Sequence, residues 1–321
     1  MKRSDRWRPA ILLLAFGLAC SARTGAETLD YRATYQGVFS AFQEVPVGDV
    51  RLVVDRTDAT YEGQAVYRAR LTASSEAYPV VERFYPFRYD FTSYHQRGDV
   101  RSLAYERRKQ TTRTRHDLIL LDRDRRRVTR YEIAEARRGA PPDDLPPLMT
   151  VLRAAGLPDH APHLAPQPWT LDAPPGSTLD RLALLQQLRE LPLRAGVSRE
   201  LVATDGKEYM PYLAIVVGRE AIETGQGTRQ AWKIRIEGFE ADGGREVSVE
   251  EAGSELPAPS TADDEAWRHP PVYVWIDAGP RRLPLRFVSR HAIGEFIVEL
   301  DSASAVQSAS LDPGAWANST F

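Results

Sequence analysis

Apolar and polar residues alternate along most of the chain after residue 27, and this pattern limits the folds that are open to it. The clearest example is PVYVWIDAGPRRLPLRFVSR, Pro271 to Arg290, in which two alternating runs flank a Gly-Pro turn. Successive side chains of a β-strand point to opposite faces, so alternation predicts strands with one buried and one solvated face. Such strands are typical of antiparallel sheets. We therefore predict a mainly β protein.

The middle of the chain departs from this pattern and predicts two short helices. Apolar residues recur there with helical spacing, first at Leu148, Val151, Leu152 and Ala155, and then at Leu184, Leu185, Leu188 and Leu191. Gly156 and Pro192 would end the helices, and Ser177-Thr178-Leu179-Asp180 resembles a capping motif ahead of the second one. Strands, a helical interlude and strands again predict a curved antiparallel sheet or open β-barrel-like structure, with both helices covering its concave face.

The first 26 residues have the pattern of a signal peptide. A basic start, MKRSDRWR, precedes a short apolar core from Pro9 to Ala19, and small residues follow. A membrane span needs about 20 apolar residues, so this core is too short to be one. No later stretch of the sequence comes closer, and we predict an exported, periplasmic mature chain without a transmembrane span.

Two cleavage positions fit this signal peptide. Thr24-Gly25-Ala26 would release a soluble chain that begins at Glu27, which is the interpretation we favour. Alternatively, Gly17-Leu18-Ala19-Cys20 resembles a lipoprotein box, with Cys20 lipidated and the protein held at the outer membrane, although Leu is usual where Gly17 stands. Cys20 is the only cysteine, so the mature chain has no structural disulfide. We predict a single β-rich domain over residues 27–300 and a flexible tail over residues 301–321.

Charge is distributed unevenly along the chain. The formal net charge of -2 argues against a nucleic-acid binder, because phosphate binding needs a positive excess. Residues 101–130 are nevertheless rich in Lys and Arg, and residues 240–265 are rich in Asp and Glu. These two segments are interpreted either as solvated hairpins or as surfaces that steer a ligand or a partner.

No motif for catalysis or cofactor binding is recognised in the sequence. GQGTRQ, residues 225–230, lacks the third glycine of a dinucleotide fingerprint, and no G-x-S-x-G elbow is present. His160-Ala161-Pro162-His163 has a spacing that occurs in metal sites, but without a nearby Cys or carboxylate set we interpret it as a pair of loop histidines. We predict no enzyme, no cofactor and no metal site, while a catalytic triad assembled in space stays open.

Two groups of residues are candidate ligand contacts. An apolar cavity would be lined by four aromatic residues, which would otherwise be core: Phe84, Phe87, Trp232 and Trp275. The basic run YERRKQTTRTRH, residues 105–116, would place three guanidinium groups on one face of a strand, where they would meet an anionic head group: Arg107, Arg113 and Arg115. The alternative for this run is a solvated ribbon.

Several segments follow one another in a recognisable order. A Leu-rich helix ends in LPL at residues 180–193, a strand begins with DGK at residue 205, and a W-I-D-x-G-x-R-R-L-P hairpin covers residues 275–284. YRATYQGVFSAFQEVPVGDVRLVV and ERFYPFRYDFTS precede them. Across residues 29–300 these segments resemble the DUF3108 family of exported bacterial proteins, which has no assigned function. The resemblance implies an envelope β-protein, similar in its open-barrel shape to periplasmic lipoprotein carriers, and it transfers no catalytic residue.

Three functional hypotheses follow. We favour an exported envelope protein that binds an apolar or amphiphilic, lipid-like molecule in its curved sheet. The alternative is a structural or assembly factor that contacts another envelope protein through its charged hairpins. A hydrolase with a site assembled in space is the third.

Overall fold

The computed structural model describes residues 25–98, 100–123, 125–134, 145–165, 168–172, 178–225, 227–238 and 271–307. The predicted signal peptide up to residue 24, with Cys20, lies outside the described residues. So do the acidic segment at 240–265 and residues 308–321 of the predicted tail.

Within these described residues, fifteen strands form one sheet. In chain order they are β1 (Gly25–Gly37), β2 (Glu44–Tyr61), β3 (Gln64–Ser74), β4 (Arg88–Gln96), β5 (Arg101–Gln110), β6 (Thr114–Asp122), β7 (Arg127–Glu132), β8 (Trp169–Asp172), β9 (Thr178–Leu179), β10 (Ser198–Thr204), β11 (Tyr209–Thr224), β12 (Gly227–Gly238), β13 (Val272–Asp277), β14 (Pro284–His291) and β15 (Gly294–Gln307). The predicted mainly β, curved antiparallel fold is confirmed.

In the part of the chain that the structure describes, three α-helices accompany the sheet: α1 (Pro79–Phe84), α2 (Leu148–Ala154) and α3 (Arg181–Glu190). The two helices expected in the middle of the chain are α2 and α3. The sequence pattern does not predict α1, which has only six residues and buries none of them. None of the helices in the described part of the chain is long and apolar enough to cross a membrane.

The strand order forces the sheet to curve. The order is β8-β7-β6-β5-β4-β3-β2-β1-β15-β14-β13-β12-β11-β10-β9, so the first and last strands pair in the centre and β8 and β9 are the edges. Only residues 173–177 separate Asp172 at one edge from Thr178 at the other. A segment of this length spans at most about 20 Å. The two edges of the sheet must therefore approach each other.

Contacts across the gap show that the two halves of the sheet meet. The Tyr209 hydroxyl, on β11, donates a 2.8 Å hydrogen bond to the Asp172 carbonyl on β8. The turn between β10 and β11 packs on β6 and β7, where a Cβ built on Gly206 would lie 2.9 Å from the Cβ of Arg130 and 3.0 Å from Ile119. Gly206 also has a φ of +85°, so both space and backbone conformation favour glycine. Among the described strands β8 and β9 do not pair with each other, and the sheet stays open.

Two boundaries differ from the sequence-based expectation. The polar residues at positions 57, 58 and 60 would favour a turn, but β2 continues to Tyr61, and the register shifts between Arg56 and Thr60 as an irregularity within the β2–β3 pair. The chain instead turns at Glu62 and Gly63, both of which have positive φ. Strand β15 continues beyond the expected domain end at residue 300, because it pairs with β1 as far as Gln307.

The two longer helices lie on opposite faces of the sheet rather than both on the concave face. On β6, Leu118 and Leu120 belong to a cluster of buried side chains that also includes residues of α2. The alternate residues Ile119 and Leu121 belong to a second cluster, which contains Leu182 of α3. Since alternate residues of a strand point to opposite faces, only α3 covers the concave side. We call the side that carries α3 the inner face and the other the outer face.

Candidate functional site

The N-terminus of α3 is held by a buried aspartate. One Asp180 carboxylate oxygen accepts hydrogen bonds from the backbone N–H groups of Leu182 (2.8 Å) and Ala183 (3.0 Å), which is the geometry of an N-cap. The other oxygen accepts from the Ser93 hydroxyl of β4 at 2.7 Å. The Asp180 backbone N–H in turn donates to Ser102 of β5. The cap is therefore Asp180, and it attaches the helix to the sheet.

The C-terminus of α3 is held by the Gly-Pro hairpin. Arg282, in the turn between β13 and β14, donates 2.8 Å hydrogen bonds to the carbonyls of Arg189 and Leu191. Arg189 donates back to the carbonyls of Arg281 and Arg282. The last carbonyls of a helix have no intrahelical partner, so a guanidinium group satisfies them well. The hairpin is a clamp for α3, a function that its alternation pattern does not reveal.

A cavity of about 630 Å³ lies between α3 and the inner face of the sheet. Helix α3 contributes four leucines, and strands from both halves of the sheet contribute further aliphatic and aromatic side chains. Among the residues that line the cavity are Leu182, Leu184, Leu185 and Leu188 on α3, Val50, Leu52 and Leu71 on β2 and β3, and Val272, Val274, Phe287 and Val298 on β13 to β15. Its volume is within the range of small-molecule sites, about 300–1,000 Å³.

Few polar groups face this cavity. Burial raises the pKa of Tyr31, whose hydroxyl already donates to the Pro284 carbonyl at 3.0 Å. Ser289 and His291 contact each other at 2.9 Å, and the exposed Arg181 begins α3. An apolar molecule would thus meet hydrocarbon along most of its length and polar groups only near these positions.

Arg181 belongs to a group of cations on the inner face. Burial lowers the pKa of Lys109, and the nearby guanidinium groups of Arg107, Arg181 and Arg115 lower it further. Arg107 is paired with Asp117 at 3.0 Å. In the described part of the chain, no acid pairs with Lys109, Arg115 or Arg181. The inner face therefore carries uncompensated positive charge beside the apolar cavity.

The predicted arginines have three different environments. Arg107 is buried on β5, and Asp117 of β6 accepts hydrogen bonds from it. Arg115 is exposed and lies opposite Lys109 in the β5–β6 register. Arg113 is exposed in the turn between these strands, because residues 105–116 form a hairpin rather than one strand. The basic run is therefore not an edge strand, since β5 and β6 lie inside the sheet, although its tip from Thr112 to Arg115 is exposed.

The predicted aromatic residues are dispersed, and none of the four is among the residues that line the cavity. Phe84 is 78% exposed on α1. Phe87 stacks on Tyr89, with ring centroids 5.2 Å apart. Trp232 is half-buried and packs against a cluster of buried side chains that includes Leu188 of α3. Trp275 is buried, and its indole N–H donates to Glu220. The Tyr89 ring stacks on Phe91, which lies opposite Leu71 of the cavity wall, so a row of rings connects Phe87 to that wall.

Exposed apolar side chains gather at one end of the sheet. This end is where β1 finishes, β2 begins and β14 turns into β15, as the pairing of Gly37 with Gly294 shows. Phe39 and Phe42, in the connection between β1 and β2, are 81% and 69% exposed. His291 lines the cavity and lies at this end of β14, where its ring contacts Phe296 at 5.8 Å. The cavity and the exposed apolar residues therefore share one end of the sheet.

A buried Ser–His–Asp group does not have the arrangement of a catalytic triad. Ser93 donates to Asp180 directly, and the closest approach of His95 is 3.4 Å, from its Nδ1 to the Ser93 hydroxyl. In a triad the imidazole lies between the serine and the acid. All three side chains have 0% exposure, and burial lowers the pKa of His95 to about 3. The group anchors α3.

A second polar cluster lies on the outer face. Glu106 accepts hydrogen bonds from His116 at 2.7 Å and from His160 at 2.8 Å. Burial alone would raise the pKa of Glu106, but these hydrogen bonds outweigh it and lower the pKa to about 2. The carboxylate is therefore ionised. Sequence reasoning considered His160 only together with His163, because strand register is what brings Glu106 and His116 into reach.

Comparisons with solved structures find low similarity. A β-barrel-like protein of domain of unknown function DUF1849 from Brucella abortus is 8% identical, with a TM-score of 0.46, over 88% of this chain and 98% of that one. A protein from Parabacteroides distasonis described provisionally as a lipoprotein is 8% identical, with a TM-score of 0.29, over 88% and 96% of the two chains. A Bacteroides fragilis protein described provisionally as exported, with a YmcC-like fold, is 9% identical, with a TM-score of 0.28, over 87% and 95%. TM-scores below 0.5 are too low to support a functional argument.

The sequence comparisons identify a family. No protein of curated function matches the chain. Residues 158–301 match the sequence model of DUF3108, a family described as proteins of unknown function. This match contains α3 and the hairpin that clamps it, but not the N-terminal half, for which a resemblance was also expected. This match supports the expected assignment to the DUF3108 family over residues 158–301.

Proposed function

We propose that this protein is exported and binds an amphiphilic molecule, with the apolar chain in the cavity beneath α3 and an anionic head group near Arg181 and Lys109. The observation that carries the proposal is the cavity of about 630 Å³, whose walls are mostly apolar. Export is supported by the signal-peptide pattern of the first 26 residues. Lipidation at Cys20 remains the alternative route to the envelope.

The cavity favours a hydrocarbon chain over a polar ligand. Transfer of one methylene from water to an apolar site is worth about 0.8 kcal/mol, so a chain of several methylenes gains substantial affinity. A polar ligand would lose hydrogen bonds to water that leucine and valine walls cannot replace. The exposed Phe39 and Phe42 at the same end of the sheet offer an apolar surface along which such a chain can approach.

The head-group position follows from charge. Arg181 both lines the cavity and acts electrostatically on Lys109, so the cations of the inner face lie beside the cavity rather than away from it. The Lys109 ammonium also lies 5.6 Å from the Phe91 ring centroid, which places it at the boundary between aromatic and charged surface. An anionic group here would replace the missing counter-charge.

Filling part of the cavity should weaken binding. Val272 lines the cavity, and a tryptophan at this position would occupy part of the volume. We expect Val272→Trp to reduce the affinity for the fluorescent apolar probe N-phenyl-1-naphthylamine by at least about tenfold, the equivalent of losing about 1.4 kcal/mol of apolar contact. Fluorescence titration of the purified protein measures the effect.

The matched control is Val217→Trp, because Val217 is 48% exposed on β11 and is not a cavity residue. This variant should bind the probe as the unmodified protein does. Equal probe binding by both variants, with both folded by circular dichroism, would mean that the probe does not occupy this cavity and would refute the proposed site.

A further inference from the structure

We propose that Glu106, His116 and His160 form a binding site for a single Zn²⁺ ion on the outer face of the sheet. This site is separate from the proposed amphiphile site. Glu106 lies between Tyr105 and Arg107, whose side chains point to the inner face, so the Glu106 side chain points to the other one. Neither proposal depends on the other.

Three metal-ligand atoms converge at this position. The Nε2 atoms of His116 and His160 lie 2.7 Å and 2.8 Å from the same carboxylate oxygen of Glu106. All three ligand atoms lie within 4.8 Å of one another. Tetrahedral Zn²⁺ with bonds of about 2.0–2.1 Å separates its ligand atoms by about 3.3 Å. Small side-chain movements would therefore accommodate the ion.

Two of the three ligands are fixed by strand register. Glu106 pairs with Leu118 and Arg108 pairs with His116 in the β5–β6 ladder, so Glu106 and His116 are diagonal neighbours on one face. Such neighbours keep their relative positions because the backbone ladder holds both strands. Because this pair is already held in place, metal binding loses less side-chain conformational entropy.

The third ligand comes from the segment that follows α2. This segment is tied to the end of β7 by backbone hydrogen bonds from Ala134 to His163 and from Ala165 to Glu132. His160 is thereby held over the strands, with its ring 5.2 Å from that of His116 in an edge-on arrangement. The neighbouring Asp159 carboxylate is engaged by Arg153 at 2.7 Å and is not part of the cluster. The set is therefore two imidazoles and one carboxylate.

This donor set suits zinc and leaves one coordination position open. Imidazole and carboxylate are ordinary Zn²⁺ ligands, and three protein ligands with an open fourth position distinguish accessible sites from closed structural ones. The side chains of His116, Glu106 and His160 are 20%, 15% and 13% exposed, so water can reach the fourth position. The nearby Arg70 is paired with Asp90 at 2.6 Å, which compensates its charge.

Zinc titration of the tag-free, EDTA-treated protein tests the site. Calorimetry with ZnCl₂ should show one equivalent bound, and Co²⁺ should give the visible absorption of a tetrahedral complex. His116→Ala and His160→Ala should each weaken Zn²⁺ binding by at least about tenfold, because even outer-shell partners of metal ligands contribute about 10–100-fold. Zn²⁺ should also raise the melting temperature of the unmodified protein, and of neither variant.

His163→Ala is the matched control, since His163 lies in the same segment but outside the cluster. It should bind Zn²⁺ like the unmodified protein. Absence of stoichiometric binding would overturn the proposal. So would undiminished binding by His116→Ala or His160→Ala, or loss of binding in His163→Ala, which would instead indicate a site built on the His160/His163 pair.

Discussion

Replacing Asp117 with alanine is expected to lower the free energy of unfolding by about 3–5 kcal/mol, the usual effect of removing one partner from a buried ion pair. Asp117 is 4% exposed on β6. Its Oδ2 accepts hydrogen bonds from Arg107 at 3.0 and 3.3 Å, and its Oδ1 accepts from Arg130 at 2.8 and 3.0 Å. The alanine variant would leave two largely buried guanidinium groups without this counter-charge, and Asp205, 3.9 Å from Arg107, would compensate only one of them.

Urea unfolding followed by circular dichroism measures this loss. Asp90→Ala is the control, because Asp90 also forms a two-bond pair with an arginine, Arg70, but both side chains are substantially exposed. Exposed pairs contribute about 0–1 kcal/mol. If the two substitutions destabilise the protein equally, burial of the Asp117 network is not what stabilises the inner face.

The second large effect is expected at Asp180. Alanine at this position removes the N-cap of α3, worth about 1–2 kcal/mol, and leaves the fully buried Ser93 hydroxyl without its acceptor, worth about 1–3 kcal/mol. We expect Asp180→Ala to lower the free energy of unfolding by about 3 kcal/mol. Because α3 supplies one wall of the cavity, binding of N-phenyl-1-naphthylamine should weaken as well.

Asp180→Asn separates capping from charge. Burial raises the pKa of Asp180, while hydrogen bonds from Ala183, Ser93, Ser102 and Leu182 act in the opposite direction. An asparagine oxygen can accept the same two backbone hydrogen bonds, so this variant should lose less than half as much stability as the alanine variant. An asparagine variant as unstable as the alanine variant would contradict the capping explanation.

Period-two alternation was sufficient to predict a curved antiparallel sheet, because alternation is a local consequence of strand geometry. It was not sufficient to assign faces. Arg107 was predicted to meet a ligand or solvent, yet Asp117, ten residues later, pairs with it across a hairpin whose turn falls within the basic run. The turn at residues 111–113 has no Gly or Pro, and this is why the run resembled one strand.

The candidate sites depend on contacts between distant parts of the chain. The cavity is lined chiefly by leucines and valines, and in a sequence such residues are ordinarily assigned to the hydrophobic core. The aromatic residues that we predicted as its lining lie elsewhere. The clamp on α3 joins residues 91 and 93 positions apart. Glu106 and His160 are 54 positions apart, and only the pairing of the segment after α2 with β7 brings them together. None of these separations leaves a periodic or motif signal.

Native mass spectrometry with palmitic acid tests the proposed function most directly. The unmodified protein should form a complex with one palmitate, and the Lys109→Glu/Arg181→Glu double variant should bind palmitate at least about tenfold more weakly while retaining N-phenyl-1-naphthylamine binding. Arg181 is exposed at the first position of α3, where Glu is well tolerated, so this variant should fold. A protein that shows only its own mass at saturating palmitate would contradict the binding of an anionic amphiphile in this cavity.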